Sequence, residues 1–428
     1  MNGDTRLERQ LPQVLTDLGA GSTPDYTDSL LARTAATRQR PGWVFPERWF
    51  PMSAISQRMA VAPRLSWRVV VVAALLVLAL VSAALYAGSQ QRRLPAPFGP
   101  ADNGVIPYVA NGDLFVGDPI TGESRLIVTG PEADALPQFS PDGTRVAYIR
   151  DVGTTEVKPI DLYVTGADGS RPTKITPEPI WNWQFITWTP DGVGVAVVSK
   201  VDASTNTLDI YDADGSGSFE TILRAPVLDF VQFRPPDGRE LMFRARVDGE
   251  YGLFAMNADG TNVHPLALAT DPDSQDFWGG ATWSADGSQI FYTRPYASPT
   301  ADGSTCCSLW VMNSDGSDPR QFIPIEGKAW DGQPAVSPDG SMVAFWHVKD
   351  SAQVAVAPVD GSGSFITTGP VMADTVHWVW APDSSKILMM PNDGSSRNAY
   401  LLDPAGGPWT TVPWDSDLDL DWQRVAAD

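Results

Sequence analysis

From Val105 onward the apolar residues fall in short runs broken by polar turns, and the breaks recur. The stretch Leu136-Pro-Gln-Phe-Ser-Pro-Asp-Gly-Thr-Arg-Val-Ala-Tyr148 sets the pattern of an apolar strand, a Pro-Asp-Gly turn and a second strand. Variants stand at Trp188-Thr-Pro-Asp-Gly192, Phe233-Arg-Pro-Pro-Asp-Gly238, Trp283-Ser-Ala-Asp-Gly287, Val336-Ser-Pro-Asp-Gly340 and Trp380-Ala-Pro-Asp-Ser384. Their turn aspartates are 49, 46, 49, 53 and 44 residues apart, the spacing of a repeated four-strand unit. A second turn follows in each unit, at Asp168-Gly169, Asp214-Gly215, Asp259-Gly260, Asp315-Gly316, Asp360-Gly361 and, in divergent form, Asp403–Gly406. Each is preceded by a third apolar run such as Leu162-Tyr-Val164 or Leu309-Trp-Val-Met312.

The pattern predicts strands a, b, c and d in six complete units. The chain ends supply a seventh: Ile106–Val109, Leu114–Val116 and Arg125–Val128 read as b, c and d without an a, and Leu418–Val425 reads as an a without partners. Joining them closes a ring and removes the exposed edges. The expected fold is therefore all-β, a seven-bladed β-propeller over 105–428, with six blades as the fallback if the terminal unit is miscounted.

Upstream the periodicity changes. Residues 1–40 hold two short amphipathic patterns, and Arg40–Met52 is a Pro- and Trp-rich tract. Val69–Gly88 is an uncharged run about 30 Å long as a helix, which matches a bilayer core. Arg48, Arg58, Arg64 and Arg68 precede the run, against Arg92 and Arg93 after it, so the N-terminus is expected in the cytoplasm and the repeats outside it. The expected organisation is a cytoplasmic tail at 1–68, a transmembrane helix at 69–91, a Pro-rich extended linker at 92–104 and the propeller beyond, in a single-pass protein of the cell membrane and bacterial envelope.

Charge sharpens this division. Residues 1–93 contain 11 Lys and Arg against 6 Asp and Glu, leaving 19 and 45 for the remainder, a net of about −26. Such a domain repels phosphate backbones, which excludes nucleic acid as its partner. The two cysteines, Cys306 and Cys307, are adjacent and form no disulfide framework.

The sequence Pro137-Gln-Phe-Ser-Pro-Asp-Gly143, with Val146-Ala-Tyr148 and then Leu162-Tyr-Val-Thr-Gly-Ala-Asp-Gly169, resembles the TolB-type repeat of WD-like β-propellers. The resemblance implies a propeller of the kind found in periplasmic interaction proteins, sensors and the non-catalytic domains of peptidases. Six blades are common there, so seven is a departure, and the membrane run is another.

No Gly-x-Ser-x-Gly elbow, phosphate loop or His-Glu-x-x-His helix is present. The histidines, His264, His347 and His377, fall in different units, so no metal centre is expected from them. Asp271, Asp273 and Asp276 offer a weak calcium candidate; otherwise no cofactor is expected. Short turns share one face of the ring and longer loops the other, where binding usually sits. The starts of the a strands rim that second face with Asp134, Trp183, Asp229, Trp278, Trp330, Asp331, Asp374 and His377. Indole faces beside carboxylates suit a peptide, protein or glycan ligand. The expected role is a non-enzymatic binding or sensory module, with 1–40 available to a cytoplasmic partner. The alternatives are a hydrolase or lyase working through the funnel carboxylates, or an anti-sigma-like regulator without zinc, since residues 1–68 contain neither His nor Cys.

Overall fold

A computed structural model of the chain describes residues 71, 74–77, 94–151, 159–202, 204–269, 280–295, 307–323, 330–349, 351–362, 364–372, 376–391, 398–415 and 421–427. The chain divides into two compact units, Met1–Gln90 and Gln91–Asp428. In the first, only Val71 and 74–77 are described, all helical and exposed. Among the described residues no helix is long and apolar enough to cross a membrane. The run at 69–88 and the tail at 1–68 lie almost wholly outside them.

The second unit is a ring of antiparallel sheets. Six are four-stranded and ordered as the chain runs. Blade 1 is Asp134–Phe139, Arg145–Asp151, Ile160–Gly166 and Thr173–Lys174. Blades 2 to 6 begin with Trp183–Trp188, Leu228–Phe233, Ala281–Trp283, Trp330–Val336 and Val376–Trp380. Blade 7 takes strands b, c and d from Ile106–Ala110, Asp113–Gly117 and Ser124–Val128.

Among the described residues blade 7 has three paired strands, and the chain's C-terminal residues meet it through backbone bonds; residues 418–420 of the expected innermost strand lie outside the described residues. In other blades the residue after strand a donates its N–H to a carbonyl at the start of strand b, as Ser140 does to Arg145 and Ser284 to Gln289. Gln423 makes the same bond to Val105 at 2.9 Å. Arg424–Val425 then pairs with Asp102–Asn103, upstream of the expected domain start. Seven apolar clusters fill the seven seams: Val109, Leu114 and Val128 meet Phe139 and Tyr148 between blades 7 and 1, and Ile106 and Trp422 meet Leu388 and Met390 between blades 6 and 7. Burial is thus spread around the ring, each sheet covering one face of the next.

The Asp-containing turns fasten these seams. In blade 1, Asp142 accepts from the Ser140 hydroxyl at 2.5 Å and from the Thr144 N–H at 3.0 Å, which holds its carboxyl below the usual carboxylate range. Gly143 has φ 67°, and a Cβ there would lie 2.1 Å from the Arg424 carbonyl oxygen of blade 7. In the outer turn, a Cβ on Gly169 would lie 2.3 Å from the Ile127 oxygen of the same neighbour. Glycine is therefore fixed by the close approach of blades as well as by the turn.

Two features depart from the pattern read in the sequence. The b–c connection of blade 3 is the two-residue turn Asp248-Gly249, both with positive φ, on the face expected to hold only wide loops. The linker at 92–104 is also not simply an extended spacer: the described part, from Leu94, lies across the inner turns of the ring. There Leu94, Pro95 and Pro97 line a groove together with Pro141, Asp142, Pro190, Asp191 and Asp237. The cause is a pair of anchors, Phe98 against the blade 2–3 core and the Arg424 guanidinium on the linker's carbonyls.

Candidate functional site

Three of the expected rim carboxylates occupy one structural position. Asp134, Asp229 and Asp331 stand at the start of strand a, and each meets a basic side chain near the end of strand b of its own blade, 16, 15 and 16 residues on. Asp134 grips Arg150 through both oxygens, at 2.7 and 3.0 Å. Asp229 grips Arg244 likewise, at 2.8 Å twice. Asp331 takes the Nδ1 of His347 at 2.6 Å. The antiparallel register places them so: Asp134 stands opposite Arg150 and Asp331 opposite His347.

The pairs differ in depth. The Asp134 side chain is fully covered, whereas that of Asp229 is 31% exposed. Burial pushes the Asp134 carboxyl above its ordinary value even beside Arg150, whose own guanidinium is held charged by that carboxylate. Removing one partner of the covered pair strands a buried charge, costing about 3–5 kcal/mol, while the wetter pair contributes about 1 kcal/mol or less. Arg150 further lies over the Tyr163 ring at 4.8 Å. These carboxylates are thus already engaged within their own sheets.

The aromatic candidates divide. Trp183 is half-buried against the blade 1–2 core. Trp330 packs on the blade 5–6 core, with its indole Nε1 buried and making no hydrogen bond among the described residues. His377 is exposed on Val376–Trp380, opposite Met390. Trp278 and Asp374 lie outside the described residues, as do Asp271, Asp273 and Asp276. Among the described residues no group of three or more His, Cys, Asp or Glu is placed to hold a metal.

A second site went unnoticed in the sequence. At the turn-side end of the hub lies a cavity of about 500 Å³, lined by Phe185, Phe230, Gln232, Asp421 and Arg424 and covered by Pro97–Gly99. None of the six described rim candidates lines it. The Asp421 carboxylate accepts the Phe139 N–H at 2.6 Å, and burial raises its pKa to about 6. Gln138 reaches the Ile186 carbonyl and Gln232 accepts the Trp283 N–H, so this hub position stitches neighbouring a strands together. The signal was present in the polar residue before the a-strand aromatic in Asp421-Trp422, Gln138-Phe139 and Gln232-Phe233.

No protein-family description matches the chain. A segment is 30% identical over 104 residues to dipeptidyl-peptidase 5 of Porphyromonas gingivalis, covering 23% of this chain and 15% of that protein. Among solved structures, a prolyl endopeptidase superposes with a TM-score of 0.52 at 14% identity, over 78% of this chain and 51% of that one. TolB from Acinetobacter baumannii gives 0.47 at 17% identity, over 74% and 81%. The class that strand order, seams and closure define is the seven-bladed β-propeller, and the prolyl endopeptidase likeness agrees at the level of fold.

Proposed function

We propose that the chain is a membrane-anchored binding module that presents its propeller outside the cytoplasm and takes a peptide, protein or glycan on the loop face. The observation that supports this most is the division of the ring. The short turns on one face are locked by their own aspartates and by the neighbouring blade, which leaves the longer b–c and d–a loops of the other face free to vary on a rigid scaffold. The uncharged run at 69–88 supplies the anchor in this reading, and the acidic domain stays clear of nucleic acid.

The test is crosslinking of the full chain in membranes, followed by titration of each captured partner against the purified protein. Replacing residues 296–305 by a short Gly-Ser turn is expected to abolish binding. Asp259→Ala, on the turn face, leaves it unchanged. Equal binding by both variants removes the loop-face reading, and unchanged partners after deletion of residues 1–63 remove any role of the tail in recruitment.

The peptidase names of two relatives, together with the Asp331–His347 contact at 2.6 Å, favour a second reading as a hydrolase. Turnover of a dipeptide library, lost in His347→Gln, supports it; no turnover by the wild type eliminates it.

A further inference from the structure

We infer that the turn-side mouth of the hub is a peptide-binding site, occupied in cis by residues 94–99 and open to a second proline-rich, aromatic-bearing peptide when that strap lifts. The site lies on the face opposite the loops, so its failure leaves the loop-face reading standing.

The contacts are of the kind that recognise a peptide. One nitrogen of Arg424, Nη2, donates to the carbonyls of both Ala96 and Gly99, at 3.1 and 2.6 Å. These two carbonyls bracket Phe98, so the guanidinium reads backbone while the ring between them enters the hub. Phe98 packs with Phe185 against the core of blades 2 and 3. Pro95 and Pro97 preset an extended backbone, which lowers the entropy lost on docking.

Two observations point to an exchangeable occupant. The Nε of Arg424 is buried and makes no hydrogen bond among the described residues, so the guanidinium that holds the strap keeps one donor without an acceptor. The cavity that Phe98 helps to line is about 500 Å³, which leaves room for a larger aromatic group or a deeper backbone. The strap itself is lightly held: Leu94, Ala96 and Pro100 are exposed. Its first residues share a groove with Asp142, Asp191 and Asp237, so the favoured peptide carries a basic residue ahead of its first proline, as Arg93 precedes Leu94 and Pro95 here.

The probe is a fluorescein-labelled peptide with the sequence of residues 92–101, followed by anisotropy against the full chain. Phe98→Ser, which withdraws the ring of the cis strap, is expected to bind the probe at least about tenfold tighter than wild type. A probe with alanine for its phenylalanine is expected to lose binding, and Arg424→Gln in the Phe98→Ser chain to weaken it about tenfold. Equal affinity for wild type and Phe98→Ser overturns the inference, as does no binding by a Phe98→Ser chain that melts like wild type. Should Phe98→Ser fail to fold, hydrogen exchange on the wild type decides. Excess unlabelled peptide must then speed exchange at Ala101, the first hydrogen-bonded amide after the strap, without speeding it in Val146–Ile149, and an unchanged rate refutes the site.

Discussion

Asp421 shows how a single carboxyl can be kept at some cost because of where it stands. It ties the closing strand to Phe139 of blade 1, yet burial lifts its pKa to about 6, above that of an unfolded aspartate. The sign follows from linkage. Well below pH 4 the group is protonated folded and unfolded alike and costs nothing; the penalty grows between about pH 4 and pH 6, where the unfolded chain ionises and the native state resists, and is complete above that. Asp421→Asn keeps an oxygen for the Phe139 N–H and removes the penalty. Because the residue as a whole is only half-buried, the expected gain is about 2 kcal/mol at pH 7.5, vanishing at about pH 3. Urea unfolding of both chains at the two pH values measures it, and parallel stability curves would count against the assignment. The turn aspartates act in the opposite sense. Asp142, Asp286 and Asp339 are held low by hydroxyl and N–H donors, so their contribution is present above about pH 4 and lost as acid protonates them.

At the scale of the element, the Pro-Asp-Gly and Asp-Gly turns are where one blade rests on the next. The two kinds of demand on glycine can be separated. Gly143 has a positive φ and no space, because the Arg424 oxygen stands where its Cβ would be; Gly249 has φ 89° and nothing within 4 Å. Gly249→Ala is expected to cost about 1 kcal/mol, the price of the backbone conformation alone. Gly143→Ala adds displacement of a neighbouring backbone, so about 3 kcal/mol or more is expected. Denaturant midpoints of the two variants make the comparison, and equal losses would show that the seams yield freely. These elements were legible in the sequence because a turn with positive φ and a flanking apolar run leave a local mark. The partners of Asp134, Asp229 and Asp331 were not read. An arginine or histidine 15 or 16 residues away reaches a carboxylate only once the hairpin's register is known, and rim aspartates that looked available to a ligand are held by their own strands.

For the whole molecule, the count of seven blades was readable from Trp422, whose match to Phe139, Trp188 and Trp283 marked the last strand as an innermost one. The hub mouth was not readable, since Phe98, Asp421 and Arg424 lie at the two ends of the domain's sequence and meet only after the ring closes. Closure should therefore carry cooperativity. A chain ending at residue 420 loses the Gln423–Val105 bond and the Trp422 contribution to the blade 6–7 core. It is expected to unfold over a broader denaturant range and to form oligomers through the open edge of Ile106–Ala110, as read by calorimetry and size-exclusion chromatography. A monomer that unfolds as sharply as wild type would show that six seams suffice. The same closure sets a clock on synthesis. Ile106–Ala110 leaves the ribosome early and its innermost partner last, after about 300 further residues, a delay of roughly 15–60 s at ordinary elongation rates. Throughout that interval the first sheet to emerge carries an unpaired edge, and the nascent chain depends on something other than its own last strand to keep that edge from a neighbour's.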